Sequence, residues 1–249
     1  MTPINNDAQV ILLLTSPLVK MNKGDHQPIT PLDWNRLASW LHSRNLRPGD
    51  LLLGDPGVHL RGWDDKRCPV ERLIALLGRG VVLGIAMEKW QRAGIWVLCR
   101  MDEDYPAKLK DRLKEHAPLI LYGCGNQKLL KADGVAVVGS RKATEDDLQF
   151  TSALGARLAK SGKIVVSGGA RGIDTAAMLG AIQVEGTVIG ILSDSLLRMS
   201  TSQLYRKALL QKNLVLISPY FPEATFSVGN AMGRNKFIYC LANQAMNYL

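Results

Sequence analysis

The 249-residue sequence predicts an α/β fold, namely a Rossmann-like domain with a parallel sheet, preceded by a smaller, mostly helical module. After residue 134, short apolar runs rich in β-branched residues alternate with segments of ten or more residues at helical spacing, which is the pattern of βαβ crossovers. Before about residue 94, tryptophans and helical spacing dominate instead. We therefore expect two domains, residues 1–94 and 95–249.

The N-terminal module contains two segments with clear helical spacing. The first follows a helix-start pattern at residues 30–33 and repeats Trp34, Leu37 and Leu41 on one face. The second covers residues 70–77 and stops at Gly78. Turn-forming residues separate the two, and a short strand over residues 95–98 then leads into the second domain.

The C-terminal domain is predicted to have strands and helices in regular alternation. The expected strands are residues 135–138, 164–166, 187–192 and 214–217. The expected helices are residues 148–158, 174–184 and 202–211. Because these strands are short, apolar and separated by helices, they fit a parallel sheet that is buried on both faces.

Composition favours a polyanion as partner and a reducing compartment. The formal net charge is +9 and the isoelectric point is near 9.5, which is typical of many nucleic-acid-binding proteins. The four cysteines form no C-x-x-C pair, which argues against a zinc site or a disulfide framework. No signal peptide and no apolar stretch of membrane-spanning length is visible. We expect a soluble, cytoplasmic protein that binds no membrane and no metal.

Two glycine-rich turns predict where a ligand binds. Residues 139–144 read Gly-Ser-Arg-Lys-Ala-Thr directly after one strand, and residues 166–174 read Val-Ser-Gly-Gly-Ala-Arg-Gly-Ile-Asp after the next. Ligands of open α/β sheets bind at the carboxyl ends of strands, where backbone N–H groups and helix N-termini favour anions. A single turn of this kind often reflects close packing only, but two in succession, each with an arginine, favour a phosphate site.

A third basic segment lies near the C-terminus, at residues 229–237. It fits either a basic helix N-terminus on a solvated face or a loop that returns to the same sheet edge. The sequence does not decide between the two. The predicted phosphate-binding residues are Gly139, Ser140, Arg141, Thr144, Ser167, Gly168, Gly169, Ala170, Arg171, Gly172, Arg234, Asn235 and Lys236.

The sequence offers little support for catalysis or for a bound cofactor. It lacks both the G-x-G-x-x-G dinucleotide fingerprint and a G-K-[ST] Walker loop. The four histidines precede the α/β domain and form no metal-binding pair. Asp174 lies beside the second glycine turn, where a helix cap or loop-ordering role is favoured over that of a general base. We therefore expect a protein that is not an enzyme and has no cofactor.

The ordered motifs resemble the DNA-processing protein A family (DprA, also called Smf). The residues that carry the resemblance are Val-Gly-Ser-Arg at 138–141, Ser-Gly-Gly-Ala-Arg-Gly-Ile-Asp at 167–174 and Arg-Asn-Lys at 234–236. Upstream, Asp104-Tyr105-Pro106 and Leu121-Tyr122-Gly123 resemble the family's lead-in segments. The resemblance covers roughly residues 95–245.

The resemblance implies a Rossmann-like domain that binds single-stranded DNA through phosphate and takes part in DNA recombination or transformation. It also implies loading of a RecA-type recombinase and assembly as a homodimer. The family's phosphate-contacting turn falls on Ser140 and Arg141, and its late basic motif on Arg234 and Asn235. Its second glycine loop falls on Ser167, Gly168, Gly169, Ala170 and Gly172.

The chain departs from the family pattern at three places. Met178 stands where the family usually has histidine, residues 193–199 replace a G-x-G-L-D-x-x-Y-P segment, and Lys236 replaces the last arginine of R-N-R. These departures affect the recombinase-loading role more than DNA binding.

A small-nucleotide protein on the same scaffold is the alternative function. It would be a nucleotide sensor or a protein similar to the phosphoribohydrolases, which have a P-G-G-x-G-T-x-x-E motif. Here that proline is Ser167, the threonine is Ile173, and no glutamate precedes Glu185. The missing glutamate argues against hydrolysis, whereas nucleotide sensing needs only the glycine loop.

Overall fold

A computed structural model of the protein describes residues 4–18 and 26–248. The chain divides into two compact units, Met1–Gln91 and Arg92–Leu249. Within the described ranges, no helix is both long and apolar enough to cross a membrane.

The first unit is helical, as its sequence predicts. Its second helix starts where the sequence indicates, because Thr30 and Asp33 form a reciprocal capping box and Pro31 occupies the first turn. This helix buries Trp34, Leu37 and Leu41. The helices, including one that ends in the second unit, are α1 (Asn6–Thr15), α2 (Pro31–Ser43), α3 (Pro56–His59), α4 (Val70–Leu77) and α5 (Gly80–Arg92).

The second unit is built on one seven-stranded sheet with the order β1-β2-β6-β5-β4-β3-β7. The strands are β1 (Ile95–Cys99), β2 (Ile120–Gly125), β3 (Gly134–Gly139), β4 (Ile164–Ser167), β5 (Val188–Ile191), β6 (Leu214–Ser218) and β7 (Gln244–Tyr248). All four strands predicted after residue 134 are present in these positions. The α/β prediction is therefore confirmed.

The sheet is parallel only in part, because β3 to β7 run parallel while β1 and β2 are antiparallel to their neighbours. The prediction did not include β2 or β7. β2 pairs with β6 in the antiparallel sense and needs no crossover helix, so it lies outside the alternating pattern. β7 carries the polar residues Gln244 and Asn247 and lies at the edge of the sheet, where it pairs with β3.

Helices cover both faces of this sheet. They are α6 (Ala107–Leu113), α7 (Glu145–Lys160), α8 (Ile173–Gln183), α9 (Leu196–Ser200), α10 (Gln203–Leu210) and α11 (Val228–Leu241). Leu109 of α6 and Ile238 of α11 belong to one apolar cluster with alternate residues of the strands, such as Val166 and Ile189. The intervening strand residues face the other side, where α8 packs on β3, β4 and β5.

The chain order changes direction at β3, and this determines where a crevice can form. From β3 the chain moves outward through β4, β5 and β6, and then α11 returns it to the opposite side of β3 as β7. In doubly wound sheets, ligands bind at such a switch point, outside the carboxyl ends of the strands. The turn that begins at Gly139 lies at this place.

Candidate functional site

The two glycine-rich turns cross each other at the carboxyl ends of β3 and β4. The backbone N–H of Ile173 donates to the Ser140 carbonyl at 3.2 Å. Gly172 has φ +95°, and a Cβ there would lie 2.3 Å from the same carbonyl oxygen. Only glycine fits both the backbone conformation and the contact, so part of the glycine pattern serves close packing.

A buried ion pair lies directly beneath this crossing. Arg234 of α11 is 2% exposed, and its Nη1 donates to Asp174 Oδ2 at 3.1 Å and to the Ile191 carbonyl at 3.3 Å. The guanidinium lies against Gly168, where an added Cβ would be 0.8 Å from Nη1. The backbone N–H of Gly139 donates to Asp174 Oδ1 at 3.4 Å. The ion pair thus joins α11 to both glycine turns.

Burial and charge act in opposite directions on this pair. Burial raises the pKa of the Asp174 carboxyl, while the Arg234 charge and the backbone N–H groups of Gly139, Ala170 and Gly168 lower it. Burial also lowers the pKa of Arg234, which the charge of Asp174 opposes. Asp174 is therefore a structural counterion and not a solvent-exposed base.

The basic segment at residues 229–237 belongs to a helix, so the loop interpretation is wrong. α11 begins at Val228, where the Ser227 hydroxyl accepts from the backbone N–H of Asn230 at 3.4 Å. The helix nevertheless brings Arg234 and Asn235 to the same sheet edge as the glycine turns, which the loop interpretation required. The alternative interpretation, a basic helix N-terminus on a solvated face, predicts the helix correctly. It does not predict that the helix lies beside the glycine turns.

A cavity of about 620 Å³ opens between the β3 turn and α11, and we call it the larger cavity. Its lining combines apolar side chains of α11 with polar groups of the turns. The lining residues are Val138, Gly139, Ser140, Arg141, Ala170, Asp174, Val228, Ala231, Met232, Arg234, Asn235 and Tyr239.

A second cavity of about 250 Å³, the smaller cavity, lies beside the β4 turn. Residues 168–170 contribute backbone, and three arginines, an aspartate and several apolar side chains complete the wall. The lining residues are Arg141, Gly168, Gly169, Ala170, Arg171, Leu192, Ser193, Asp194, Arg198, Met199 and Phe226.

Arg141 belongs to the walls of both cavities and stacks on an aromatic ring. Its guanidinium carbon lies 5.1 Å from the centre of the Phe226 ring, and Phe226 is 55% exposed. Arg141, Arg171 and Arg198 are all exposed. In the part of the chain that the structure describes, none of the three has a carboxylate partner. Their donors are therefore available to an anion from solution.

The structure brings most of the predicted residues to these two cavities, but not all of them. Ser167 is fully buried and its hydroxyl donates to the Val137 carbonyl at 2.6 Å. Thr144 caps α7 through Asp147. Gly172 and Lys236 line neither cavity, and the Lys236 ammonium lies 5.0 Å from the centre of the Phe237 ring. For Ser167 and Thr144, the observed role is structural.

Sequence reasoning missed Arg198, Phe226 and Met232. Arg198 lies in the segment that departs from the family pattern, so no motif marked it. Phe226 and Met232 are large apolar residues with 55% and 73% exposure next to a basic segment. For Phe226, the run Phe226-Ser227-Val228 offered a signal in the sequence, because it places two large apolar residues beside polar turn residues.

The site has the donor set of an anion-binding surface and not that of a metal centre. Among residues 4–18 and 26–248, no three His, Cys, Asp or Glu side chains form a group that could hold a metal ion. Asp174 and Asp194 are the carboxylates in the cavity walls, and the first is neutralised by Arg234.

Comparison with known protein families supplies the decisive observation. The sequence profile described as DNA recombination-mediator protein A matches residues 96–247. The chain belongs to the DNA recombination-mediator protein A family. This is the DprA/Smf family that the motifs resemble, and it consists of DNA-processing proteins, so the prediction that the chain is not an enzyme agrees with its membership.

The curated relatives match part of the chain. DNA processing protein DprA of Streptococcus pneumoniae is 36% identical over 96 residues, which cover 39% of this chain and 33% of that protein. DNA processing protein DprA of Bacillus subtilis is 26% identical over 156 residues, which cover 60% of this chain and 50% of that protein. The chain therefore spans at most about half the length of these relatives.

Solved structures of the family support the fold. The crystal structure of Streptococcus pneumoniae DprA matches 99% of this chain and 78% of that chain, with a TM-score of 0.66 and 22% identity. A structure of Helicobacter pylori DprA matches 61% of this chain and 68% of that chain, with a TM-score of 0.50 and 27% identity. The latter was solved to describe how that protein binds single-stranded DNA.

Proposed function

We propose that the second unit binds single-stranded DNA and holds the backbone phosphates with Arg141, Arg171 and Arg198. The observation that carries the proposal is a group of three exposed arginines at the carboxyl ends of the parallel strands, which have no carboxylate partner among the residues that the structure describes. Arginine donates several hydrogen bonds in a planar fork that matches phosphate oxygens. Contacts of this kind hold a strand without reading its sequence.

The distribution of charge supports a polyanionic partner for this unit in particular. Residues 92–249 contain 20 lysines and arginines against 13 aspartates and glutamates, a net charge of +7 out of the +9 of the whole chain. The ion pair between Asp174 and Arg234 also matters here, because it neutralises a carboxylate that accepts from backbone N–H groups of the β4 turn. In the described part of the chain, Asp194 then remains as the carboxylate without an ion pair that a phosphate in the smaller cavity would face.

Two observations favour single-stranded DNA as the partner, namely the exposed side chain of Phe226 and the relative in Helicobacter pylori. Proteins that bind single strands combine a basic groove with aromatic side chains on which bases stack. Phe226 stands beside Arg141 in this arrangement. The Helicobacter pylori relative, which is 27% identical, binds single-stranded DNA according to its structural description.

The wider role that we propose is the one that the family resemblance implies. It comprises the processing of incoming DNA in the cytoplasm, the loading of a RecA-type recombinase on the bound strand, and assembly as a homodimer. A pull-down with the recombinase and the sedimentation behaviour of the purified protein test these two associations separately from DNA binding.

A nucleotide sensor is the second candidate, because the larger cavity falls in the range of small-ligand sites at about 620 Å³. Hydrolysis of a nucleoside monophosphate has less support. Asp174, the carboxylate of this cavity, is held in an ion pair and cannot act as an exposed base.

The test is equilibrium binding of a fluorescently labelled oligonucleotide of about 20 residues at low salt, for the parent protein and Arg141→Ala. Loss of a charge-assisted contact of 1.5–3 kcal/mol should weaken binding by about tenfold or more. The weakening should be the same for homopolymeric and mixed sequences. Arg157→Ala is the matched control, since Arg157 is an exposed arginine in the last turn of α7 that lines neither cavity.

Three results would overturn the proposal. They are absence of oligonucleotide binding at low salt, equal weakening by Arg157→Ala and Arg141→Ala, and stronger binding of a free mononucleotide than of the oligonucleotide. The last result would support the sensor, and release of free base from AMP would support the hydrolase.

A further inference from the structure

The helix α5 carries apolar residues on two opposite faces. Leu83, Ala86 and Trp90 are buried on one face. On the opposite face Val81 and Ile85, which are one helical turn apart, are 79% and 64% exposed. A surface helix of a folded domain presents charged and polar residues to solvent, and a helix that is apolar all round is buried. The outward face of α5 therefore has the composition of a covered surface.

The exposed surface that leads into α5 is uncharged as well. From residue 74 to residue 85, every exposed residue is aliphatic or glycine. Ile74 of α4 is 39% exposed, so the apolar exposure begins before α5. Arg79 lies in this range but is partly buried, and its guanidinium donates to the carbonyls of Leu13 and Ser16. The exposed residues in the first half of α5 form what we call the α5 face, namely Gly80, Val81, Gly84 and Ile85.

The composition of the α5 face indicates which class of partner it takes. Nucleic acids are held by exposed cations that pair with phosphates, and the four residues of the α5 face include no cation. The centre of a protein interface is instead depleted of charge and has polar residues at its rim. Glu88 and Lys89, one turn beyond Gly84 and Ile85, are exposed and provide such a rim. The α5 face thus has the chemistry of a contact between proteins.

Gly84 forms a notch in the α5 face. Outside the helix itself, no described atom lies within 4 Å of the position that a Cβ of Gly84 would take. The fold of a single chain therefore gives no packing reason for a glycine here, in the interior of a helix, where glycine is less stable than alanine. The distance between two packed helices depends on the side chains at their contact, so a glycine lets a second helix approach closely.

A second copy of the same helix fits the α5 face when the two helices run antiparallel. About a two-fold axis between Gly84 and Ile85, the Ile85 side chain of each copy lies over the Gly84 notch of the other. Glu88 lies about 5 Å along the helix axis from that point, so its carboxylate lies beside the first turn of the other copy's α5. That turn contains no acidic residue of its own, and the positive end of a helix dipole favours a carboxylate. A parallel pair would instead bring two Glu88 carboxylates together.

We propose that two copies of the chain associate through the α5 face, as an antiparallel pair of helices with two-fold symmetry. The same patch on both copies makes the contact, so the association closes at two copies. It differs from the homodimer that the family resemblance implies, because its residues lie in the first unit and outside residues 96–247 of the family match. It also does not depend on DNA binding by the second unit.

The test is the average mass of the full chain in solution, measured by sedimentation equilibrium over a wide range of protein concentration without DNA. Where the parent protein is fully associated, Val81→Ser/Ile85→Ser should have half its mass. Both side chains are exposed, so the fold of the single chain should be retained. Leu204→Ser/Leu210→Ser is the matched control, since these two leucines of α10 are 48% and 73% exposed and lie in the second unit. The control should keep the mass of the parent protein.

Gly84→Gln provides a second variant that is insensitive to folding defects. Glutamine has a higher helix propensity than glycine, and the position is open, so the folded single chain should not lose stability. The longer side chain fills the notch, and the Kd of association should rise by about tenfold or more, as for the loss of a central interface contact.

Glu88→Gln tests the orientation of the two helices. In the antiparallel pair this substitution removes a favourable contact with a helix N-terminus, so association should weaken. In a parallel pair it would remove a repulsion between two carboxylates, so association would strengthen. A strengthened association would therefore overturn the antiparallel arrangement.

A parent protein that stays monomeric at every concentration would overturn the second copy as the partner and leave the α5 face to a different protein. An unchanged mass of Val81→Ser/Ile85→Ser, or an equal loss of mass in the α10 control, would overturn the proposal as well. Oligonucleotide binding does not enter this measurement, so failure of the proposed function is a separate result.

Discussion

Arg234 is a charged side chain that the protein buries almost completely, and Asp174 makes this burial possible. Each charge alone would incur a desolvation penalty of several kcal/mol, and their contact at 3.1 Å offsets it. The sequence motif Gly-Arg-Asn-Lys indicates a surface arginine for phosphate, so burial could not be predicted from it. Gly168 would have been the signal, since a side chain there would occupy the position of the guanidinium.

Replacing Asp174 with asparagine should leave Arg234 as an uncompensated buried charge. We expect the free energy of unfolding to fall by about 3–5 kcal/mol, measured by urea denaturation. Asp194→Asn serves as control, because Asp194 lines the smaller cavity and has no ion pair with any described residue. This substitution should change the free energy of unfolding by no more than about 0.5 kcal/mol. Equal stability of Asp174→Asn and the parent protein would show that the pair does not hold α11 in place.

Thr144 illustrates how an element boundary can resemble a ligand site. The Thr144 hydroxyl accepts from the backbone N–H of Asp147 and donates to its carboxylate at 2.7 Å, which starts α7. A threonine that follows a Gly-Ser-Arg turn has the same residue type whether it caps a helix or contacts phosphate. The structure shows that its hydroxyl serves the cap.

Thr144→Ala should therefore reduce stability and not DNA binding. Loss of the cap should cost about 1 kcal/mol in the free energy of unfolding, while the oligonucleotide Kd should stay within about twofold. Hydrogen bonds from the Thr144 side chain and backbone lower the pKa of Asp147. Because the pKa of Asp147 is lowered in the folded protein, its carboxylate stabilises the fold at pH values above its ordinary pKa. This stabilisation is lost as the pH falls through the folded-state pKa, so the free energies of unfolding of the variant and the parent protein should converge in acid. A large loss of affinity at unchanged stability would instead assign Thr144 to the ligand.

The accuracy of sequence prediction also varied from one element to another. The four buried strands from β3 to β6 were predictable, because continuous apolar runs between helices leave few alternatives. β7 was not, because an edge strand with Gln244 and Asn247 lacks that apolar pattern. The sequence also did not predict which side of α11 faces the core. Its hydrophobic residues face the core on one side and the larger cavity on the other, which weakens the helical periodicity.

At the scale of the whole molecule, the basic excess is concentrated in the unit that carries the site. Net charge and two glycine turns predict an anion site, and the two turns do meet at one sheet edge, because the topology of parallel sheets fixes where strand ends meet. The division into two cavities could not be predicted, since it depends on the rotation of α11 about its axis and on the fold of residues 193–199. The two cavities and their different linings thus emerge only from tertiary packing.

The salt dependence of binding tests the central claim most directly. The measurement is the oligonucleotide Kd from about 0.05 to 0.3 M salt for the parent protein and for Arg171→Ala/Arg198→Ala. Each phosphate held contributes a slope of about −0.7 in log affinity against log salt, so contacts by three arginines predict about −2. The slope for the double variant should shrink to about −0.7, because one of the three arginines remains. The control Arg157→Ala/Lys160→Ala, on the last turn of α7, should have the same slope as the parent protein. A slope that is unchanged in the double variant, or reduced equally in the control, would contradict phosphate binding at this site.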